Sequence, residues 1–452
     1  MTESHSRAAA TLELLSDLIR RARAAGADQA DAIAFESVSY GASFRMGKPE
    51  DIERSETVDL GLRVLIGKRQ SFVAGTDRRS EALDKVVERA VAMAKLAPED
   101  KFCGLADPAL LAKSWPDLDL ADPAPQPSIE TLIDEARLME EAALAVPGIT
   151  NSEGGGASAG SGLVALATSD GFAGAFFGTN YSRSVSVIAG EGTGMERDYD
   201  FSSKRFRAEL ADPATIGRNA ADKALARLNP RKVASQTATV VYDPRVSGSL
   251  VGHLSGAING QSVARGTSFL KDRMGEQIFR PGINIVDDPL RIRGARSRPF
   301  DGEGVATRRR VLVADGRLDG WLLDTATGLQ LGLATQGNAS RGAGGPPGPS
   351  VTNLYLEAGE VAPEDLIADI KSGLYITELI GMGVNGVTGD YSRGASGFWI
   401  ENGKIAYPVS ELTIAGNLKD MFARMIPASD LTFRYGTDAP TIRIDDMMIA
   451  GT

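Results

Sequence analysis

The sequence predicts an α+β protein with an N-terminal helix/sheet domain, a middle antiparallel segment, and a large, mainly β C-terminal domain. That last domain is expected to be barrel-like or a curled sheet. Three observations carry this. Leu12, Leu15, Ile19 and Ala22 recur at helical spacing, with Gly26 as a stop. Val58, Leu60, Leu62 and Val64 alternate with polar residues or glycine, the period of a half-buried strand. The 51 glycines, against a usual share of about 7%, cluster between short apolar runs and so favour many strands over a helical bundle.

Taken in order, DAIAFESVSYGASFRMG has strand composition, and SFVAGT continues the sheet after a turn at GKRQ. Leu83, Val86, Val87, Ala90 and Ala94 mark a second helix, so residues 1–115 read as an α+β domain. PDLDLADPAPQPS, 116–128, reads as a solvated linker, because its prolines prevent regular structure. A helix with Leu132, Ala136, Met139 and Ala143 on one face opens the middle α+β segment, 129–230. A meander of small, apolar and polar residues follows. Within it GGGASAGSG reads as a flexible hairpin, since it lacks the GxxxxGK[ST] pattern of a phosphate loop. A helix over 214–228, closed by NPRK, ends the segment.

The C-terminal β-rich domain covers 235–452. Its strands are expected in GINIVDDP, VLVADGRLDGWLL, SVTNLYLEAG, GFWIENGKIAYPV and PTIRIDDMMIAG, separated by D-G, N-G and G-G pairs. Gly337–Ser350 is too rich in glycine and proline for regular structure. It is expected to be a loop that lines a groove or a surface excursion.

At 452 residues, the chain is long enough for roughly two or three domains. A net charge of −10 and the absence of a long Arg/Lys block argue against direct nucleic-acid binding. No stretch approaches the roughly 18 apolar residues of a membrane span, and the N-terminus lacks the pattern of a signal peptide. The single cysteine, Cys103, cannot form an internal disulfide and suits a reducing compartment. A cytoplasmic protein is expected.

Catalytic bases are scarce. His5 falls near a terminus expected to fray, which leaves His253, in SLVGHLSG, as the one well-placed imidazole. It has no second histidine or glutamate at HExxH spacing, no GxSxG elbow, and nothing in sequence that brings Cys103 to it. A mixed-ligand metal site with distant carboxylates stays open at this point, beside a buried or groove-lining histidine.

SLVGHLSGAINGQSVARGTSF and GVNGVTGDYSRGASGFWIENGKIAYPVSELTIAGNLKDM strongly resemble the TldD/PmbA family, once called modulators of DNA gyrase and now seen as metallopeptidase components. The resemblance spans essentially the whole chain. It implies two related kinds of subunit: TldD-type chains with a HExxxH zinc motif and a later cysteine ligand, and PmbA/TldE-type chains that lack these. The motif's first histidine and glutamate fall here on Gly248 and Ser249, its second histidine on His253, and the cysteine approximately on Tyr435. Glycine has no ligating group, serine cannot replace glutamate as a base at neutral pH, and a neutral tyrosine is a poor zinc ligand.

The resemblance therefore implies a non-catalytic PmbA/TldE-type subunit with no catalytic or metal-binding residue of its own. Zinc is expected in a TldD-type partner, where it would polarise a peptide carbonyl. Implied substrates are peptides or unfolded proteins, including precursors of small peptide antibiotics and antitoxins. This chain would supply part of the wall of an enclosed cavity, with Arg265, Asn338, Arg341, Asn353 and Asp390 as candidate groove residues. Two other readings remain: a self-sufficient metal-dependent hydrolase using His253, and a non-enzymatic peptide-binding or gyrase-associated protein. A homodimer of the isolated chain is compatible with the family's assembly of related subunits.

Overall fold

The computed structural model describes the backbone of residues 2–451 and the side chains of residues 5–451. The N-terminal half contains α1 (Thr2–Ala24), β1 (Gln29–Arg45), β2 (Lys48–Ile66), β3 (Arg69–Gly75), α2 (Ser80–Leu96), α3 (Ile129–Leu144), β4 (Ile149–Thr168), β5 (Ala173–Ala189), β6 (Glu196–Lys204) and α4 (Pro213–Ala226). Its six strands form one antiparallel sheet in the order β3-β2-β1-β4-β5-β6. The segments 1–115 and 129–230 thus contribute three strands each to a single sheet, joined where β1 pairs with β4.

Strand alternation assigns the two faces of this sheet. Ala30, Ala32 and Ala34 of β1, with Leu60, Leu62 and Val64 of β2, pack beneath α1 and α2. Ala42, Phe44, Ala157 and Ala159 lie on the same face under α3, and Val185 and Val187 lie under α3 and α4. Residues of the opposite parity, Ile33 and Leu166, meet Ala112, Phe172 and Phe300. One face is therefore covered by four helices, while the other is turned toward the C-terminal half.

Three local expectations are corrected here. His5 lies within α1 rather than in a frayed end. GGGASAGSG is the interior of β4, paired on both sides. A Cβ at Gly155 would fall 2.3 Å from the Ala136 carbonyl oxygen, so the small residues let α3 lie close against the strand. The linker at 116–128 is tied down: Leu118 and Leu120 are buried, and the Leu120 carbonyl accepts from Thr179 N at 2.9 Å.

The C-terminal half comprises β7 (Gln236–Tyr242), α5 (Pro244–Ala257), α6 (Gly260–Ala264), β8 (Ile285–Asp287), β9 (Arg310–Ala314), β10 (Arg317–Leu318), α7 (Thr325–Leu331), β11 (Ala339–Ser340), β12 (Gly348–Pro349) and β13 (Leu354–Leu356). It continues with α8 (Pro363–Ile367), β14 (Ser372–Ile380), β15 (Asp390–Glu401), β16 (Lys404–Asn417), α9 (Leu418–Arg424), β17 (Ile426–Pro427), β18 (Thr437–Asp438) and β19 (Ile442–Ala450). The sheet β16-β15-β14-β7-β19 closes on itself through a β16–β19 pairing, giving a five-stranded barrel with β17 appended. A second curled sheet runs β10-β9-β8-β13-β18. This is the α+β architecture with a barrel-containing C-terminal part that the patterning predicts.

Helix α5 lies between barrel and second sheet. Its Leu250, Val251 and Leu254 share a core with Ile376 and Ile444 of the barrel and Leu312 and Leu356 of the second sheet. Gly337–Ser350 is corrected too: it carries the small β11–β12 hairpin, anchored where Ala339 N donates to Asp301 Oδ2 at 3.0 Å. Among the described residues no helix is long and apolar enough to cross a membrane.

Candidate functional site

The strand β7 is followed by Asp243, whose side chain accepts from Arg245 N at 2.9 Å and so caps α5, with Pro244 in the first turn. Helical periodicity then directs Ser247, Leu250, Val251 and Leu254 into the core. Gly248, Ser249 and Gly252 border instead a cavity of about 570 Å³. Its other walls come from β6, the β14–β15 hairpin, the loop at Arg296, and the turn carrying Tyr435 and Thr437. The four positions aligned with the zinc motif do not all meet there: Gly248, Ser249 and Tyr435 line the cavity, and His253 does not.

A second cavity of about 720 Å³ adjoins the first and shares Asp198, Tyr199, Arg227, Pro244, Arg245, Thr377 and Tyr435 with it. Tyr199, Arg245 and Tyr435 of this shared wall form one packed group with Phe201 and Arg434, which face the second cavity. The Arg245 guanidinium lies 4.6 Å over the Tyr199 ring, Arg434 lies 4.4 Å over Phe201, and the Phe201 and Tyr435 rings are 5.5 Å apart. Asp198, nearly fully buried, receives Arg245 at 2.8 Å and Arg227 at 3.6 Å. Burial opposes the charge on Arg245, yet the Asp198 pairing outweighs it and raises the guanidinium pKa further. For Asp200 burial likewise opposes ionisation, while Arg434, Asn219 and Lys223 together hold the carboxyl below its ordinary value.

The residues present do not fit a zinc ion. A Cβ at Gly248 would fall 2.5 Å from the Thr437 carbonyl oxygen, so α5 sits too near that turn for any side chain there. Ser249 Oγ donates to the Val246 carbonyl at 2.6 Å. Burial pushes the Tyr435 phenol up, keeping it neutral at ordinary pH. His253 packs edge-on to Tyr391, with ring centroids 5.9 Å apart, and its buried Nε2 has no hydrogen-bond partner. Burial first, then the Arg393 charge, lower its pKa, so the imidazole stays neutral. Among the described residues no group of three or more His, Cys, Asp or Glu has a metal-holding arrangement. Cys103 is buried, and burial raises its thiol pKa.

The close approach at Gly248 makes a direct prediction. Gly248→Ala should destabilise the protein by about 1–3 kcal/mol through overpacking against Thr437, read as a lower denaturant midpoint. An unchanged midpoint would show that the Thr437 turn yields freely.

The five groove candidates do not converge on this cavity. Arg265 is exposed at the end of α6. Asn338 is buried and bonded to Arg310 at 2.8 Å and Asp287 at 3.3 Å. Arg341 is buried in an ion pair with Asp31. Asn353 binds the Asp288 carbonyl at 2.7 Å and Ser297 Oγ at 2.8 Å, bordering a separate cavity of about 240 Å³. Asp390 is exposed at the start of β15 and accepts from Thr388 and Asn417. The residues that do shape the site, Asp198, Tyr199, Arg245, Arg296 and Arg393, come from four separate parts of the chain. Their only sequence signals were local: MERDYD opening β6, DPR at a helix start, and YSRG within the family-like stretch.

Comparison with known proteins agrees with this architecture. The PmbA/TldA metallopeptidase family profiles match in three successive parts: domain 1 over residues 30–94, the central domain over 122–228 and the C-terminal domain over 235–451. The chain is 38% identical over 426 residues to Metalloprotease PmbA of Escherichia coli O157:H7, covering 94% of this chain and 92% of that one. It superposes with TM-score 0.90 and 26% identity on a crystal structure from Bacteroides thetaiotaomicron named as a modulator of DNA gyrase, covering 97% and 98% of the two chains. The TldE structure from Thermococcus kodakarensis shares the fold at TM-score 0.84 and 22% identity, covering 97% and 100%. On these matches, spanning nearly its whole length, the chain belongs to the PmbA/TldD family.

Proposed function

We propose that this chain is the non-catalytic, PmbA/TldE-type subunit of a two-chain cytoplasmic zinc metallopeptidase, lining part of a chamber that holds peptides or unfolded proteins. One observation carries the reading. The cavity at the family's motif positions is bordered by Gly248 and Ser249 and by five arginines, while its two carboxylates, Asp198 and Glu378, are paired with Arg245 and Arg227. Zinc and the hydrolytic step belong, in this reading, to a TldD-type partner. The two adjoining cavities along α5 and β6, of about 720 and 570 Å³, support a binding role, since each is in the range of about 300–1,000 Å³ typical of ligand sites. Family membership and the shared fold with a TldE support the subunit assignment.

The test is reconstitution. The isolated chain is expected to hold less than stoichiometric zinc and to cleave no peptide. Mixed with a TldD-type homologue from the same genome, it should form a 1:1 complex with chelator-sensitive peptidase activity. Chelator-sensitive cleavage by the isolated chain, or the absence of any complex, overturns the proposal. In the complex, His253→Ala should leave the rate within about twofold, because the side chain does not line the cavity. A rate loss of many orders would instead favour a self-sufficient hydrolase.

A further inference from the structure

We propose that the cavity beside α5 is a carboxylate-recognition subsite, in which Arg296 and Arg393 hold a carboxylate of the bound peptide. This rests on the peptide-chamber reading above and adds the chemistry that would select and orient the substrate.

Charge bookkeeping around the cavity points there. It is lined by Arg197, Arg227, Arg245, Arg296 and Arg393, against two acids, Asp198 and Glu378. Both acids are already committed. Asp198 takes Arg245 at 2.8 Å, and Glu378 is paired with Arg227. Arg227 also reaches Glu196 at 3.3 Å, and Arg197 pairs with Glu153 at 3.1 Å outside the cavity. Arg296 and Arg393 are left over. Among the described residues neither has a carboxylate within 4.0 Å. Their hydrogen bonds are long and go to neutral acceptors: Arg296 Nη1 to Thr437 Oγ1 at 3.4 Å, and Arg393 Nε to the Ile380 carbonyl at 3.3 Å.

Each guanidinium has five N–H donors in a planar fork that matches a carboxylate. Most of those donors remain available on both arginines. The uncompensated charge of Arg393 is felt nearby, since after burial it is the second influence that keeps His253 neutral. The α5 N-terminus takes no part, because the Asp243 side chain occupies it.

The adjoining cavity has the opposite balance. Asp198, Asp200, Asp222, Asp243 and Asp430 face Lys223, Arg227, Arg245 and Arg434. The double cavity is therefore cationic beside Gly248 and mildly acidic at its far end. A peptide would lie with its carboxylate end beside α5.

The carboxylate has two sources, a peptide C-terminus or an Asp/Glu side chain, and calorimetric titration of the full-length chain separates them. The probes are one N-acetylated Gly/Ala/Ser heptapeptide as free acid, the same peptide as C-terminal amide, and the amide with one internal glutamate. Tighter binding of the free acid over the amide, by about tenfold as expected for charge-assisted hydrogen bonds, identifies C-terminal recognition. Recovery of affinity by the glutamate-containing amide identifies side-chain recognition. In either case R296Q/R393Q should erase the preference, Arg393→Lys should retain part of it, and added salt should reduce it.

Equal binding of all three peptides, no binding of any, or a preference that survives in R296Q/R393Q overturns the proposal. Partner-dependent cleavage is a separate readout. If it persists without a carboxylate preference, only this subsite fails; if it is absent while the preference is present, only the subunit role fails.

Discussion

Replacing Asp31 with asparagine is expected to cost about 3–5 kcal/mol of stability, the usual penalty for removing one partner of a buried ion pair. Asp31 sits on the face of the N-terminal sheet that looks toward the C-terminal half. It is shared by two buried arginines: Arg341, which lies 310 residues away in sequence, and Arg63, at 3.5 Å. All three side chains are at most 4% exposed. Arg63 Nε and Arg341 Nε and Nη2 already lack hydrogen-bond partners. Without the carboxylate, both guanidiniums would be buried with no counter-charge, a cost well above that of losing a surface pair. The measurement is the denaturant midpoint of Asp31→Asn, together with Arg341→Met and the double variant. The double variant should be less destabilised than the sum of the singles, because removing both charges relieves the stranded one. A loss below about 1 kcal/mol for Asp31→Asn would show that water reaches this seam.

A second large effect is expected in the pH dependence of stability. Glu303 is buried, and its Oε2 accepts from Thr325 N at 2.9 Å and Thr325 Oγ1 at 2.8 Å. Burial first, then the Asp301 and Asp324 carboxylates, push its pKa up to about 8, against small opposing effects from the Thr325 N–H and Arg63. Asp301 is also raised by burial, with Arg298 and three backbone N–H groups pulling the other way. A carboxyl whose folded pKa is raised binds its proton more tightly folded than unfolded. Its stabilising contribution is complete below the ordinary value of 4.5 and is lost as pH climbs from there to about 8.

The wild-type chain should therefore lose stability across this window, by on the order of a few kcal/mol, while Glu303→Gln should show a visibly flatter profile. Urea unfolding from about pH 5 to pH 9 checks this. Parallel profiles for the two proteins would rule it out. The effect acts at the same seam as Asp31, since the Phe300–Val305 turn pairs with Leu111 and its Phe300 ring packs edge-to-face with Trp115 and Phe172.

Much of the fold was legible because it is locally encoded. The stripes Leu83–Ala94 and Leu132–Ala143 became α2 and α3, and the alternation Val58–Val64 became β2. What escaped was governed by contacts rather than propensity. PRVSGSLVGHLSGA is rich in glycine and serine, which are poor helix formers, yet it is α5 because Asp243 caps it and both sheets bury Leu250 and Leu254. GGGASAGSG looks flexible alone and is a strand because β1 and β5 pair with it on either side.

The candidate site divides in the same way. The covalent sequence by itself determined which side chains stand at the family motif's positions: Gly248 has none and Ser249 carries a hydroxyl where the motif has glutamate, an alignment that could be read residue by residue. It also determined the family and the α+β class through local pattern. Only the tertiary structure decided where the charges go. Arg341 looked free for a substrate and is spent on Asp31, whereas Arg296 and Arg393 gather in one cavity without carboxylate partners. Electrostatic worth depends on distance and burial, and both are set by packing between segments that lie far apart along the chain.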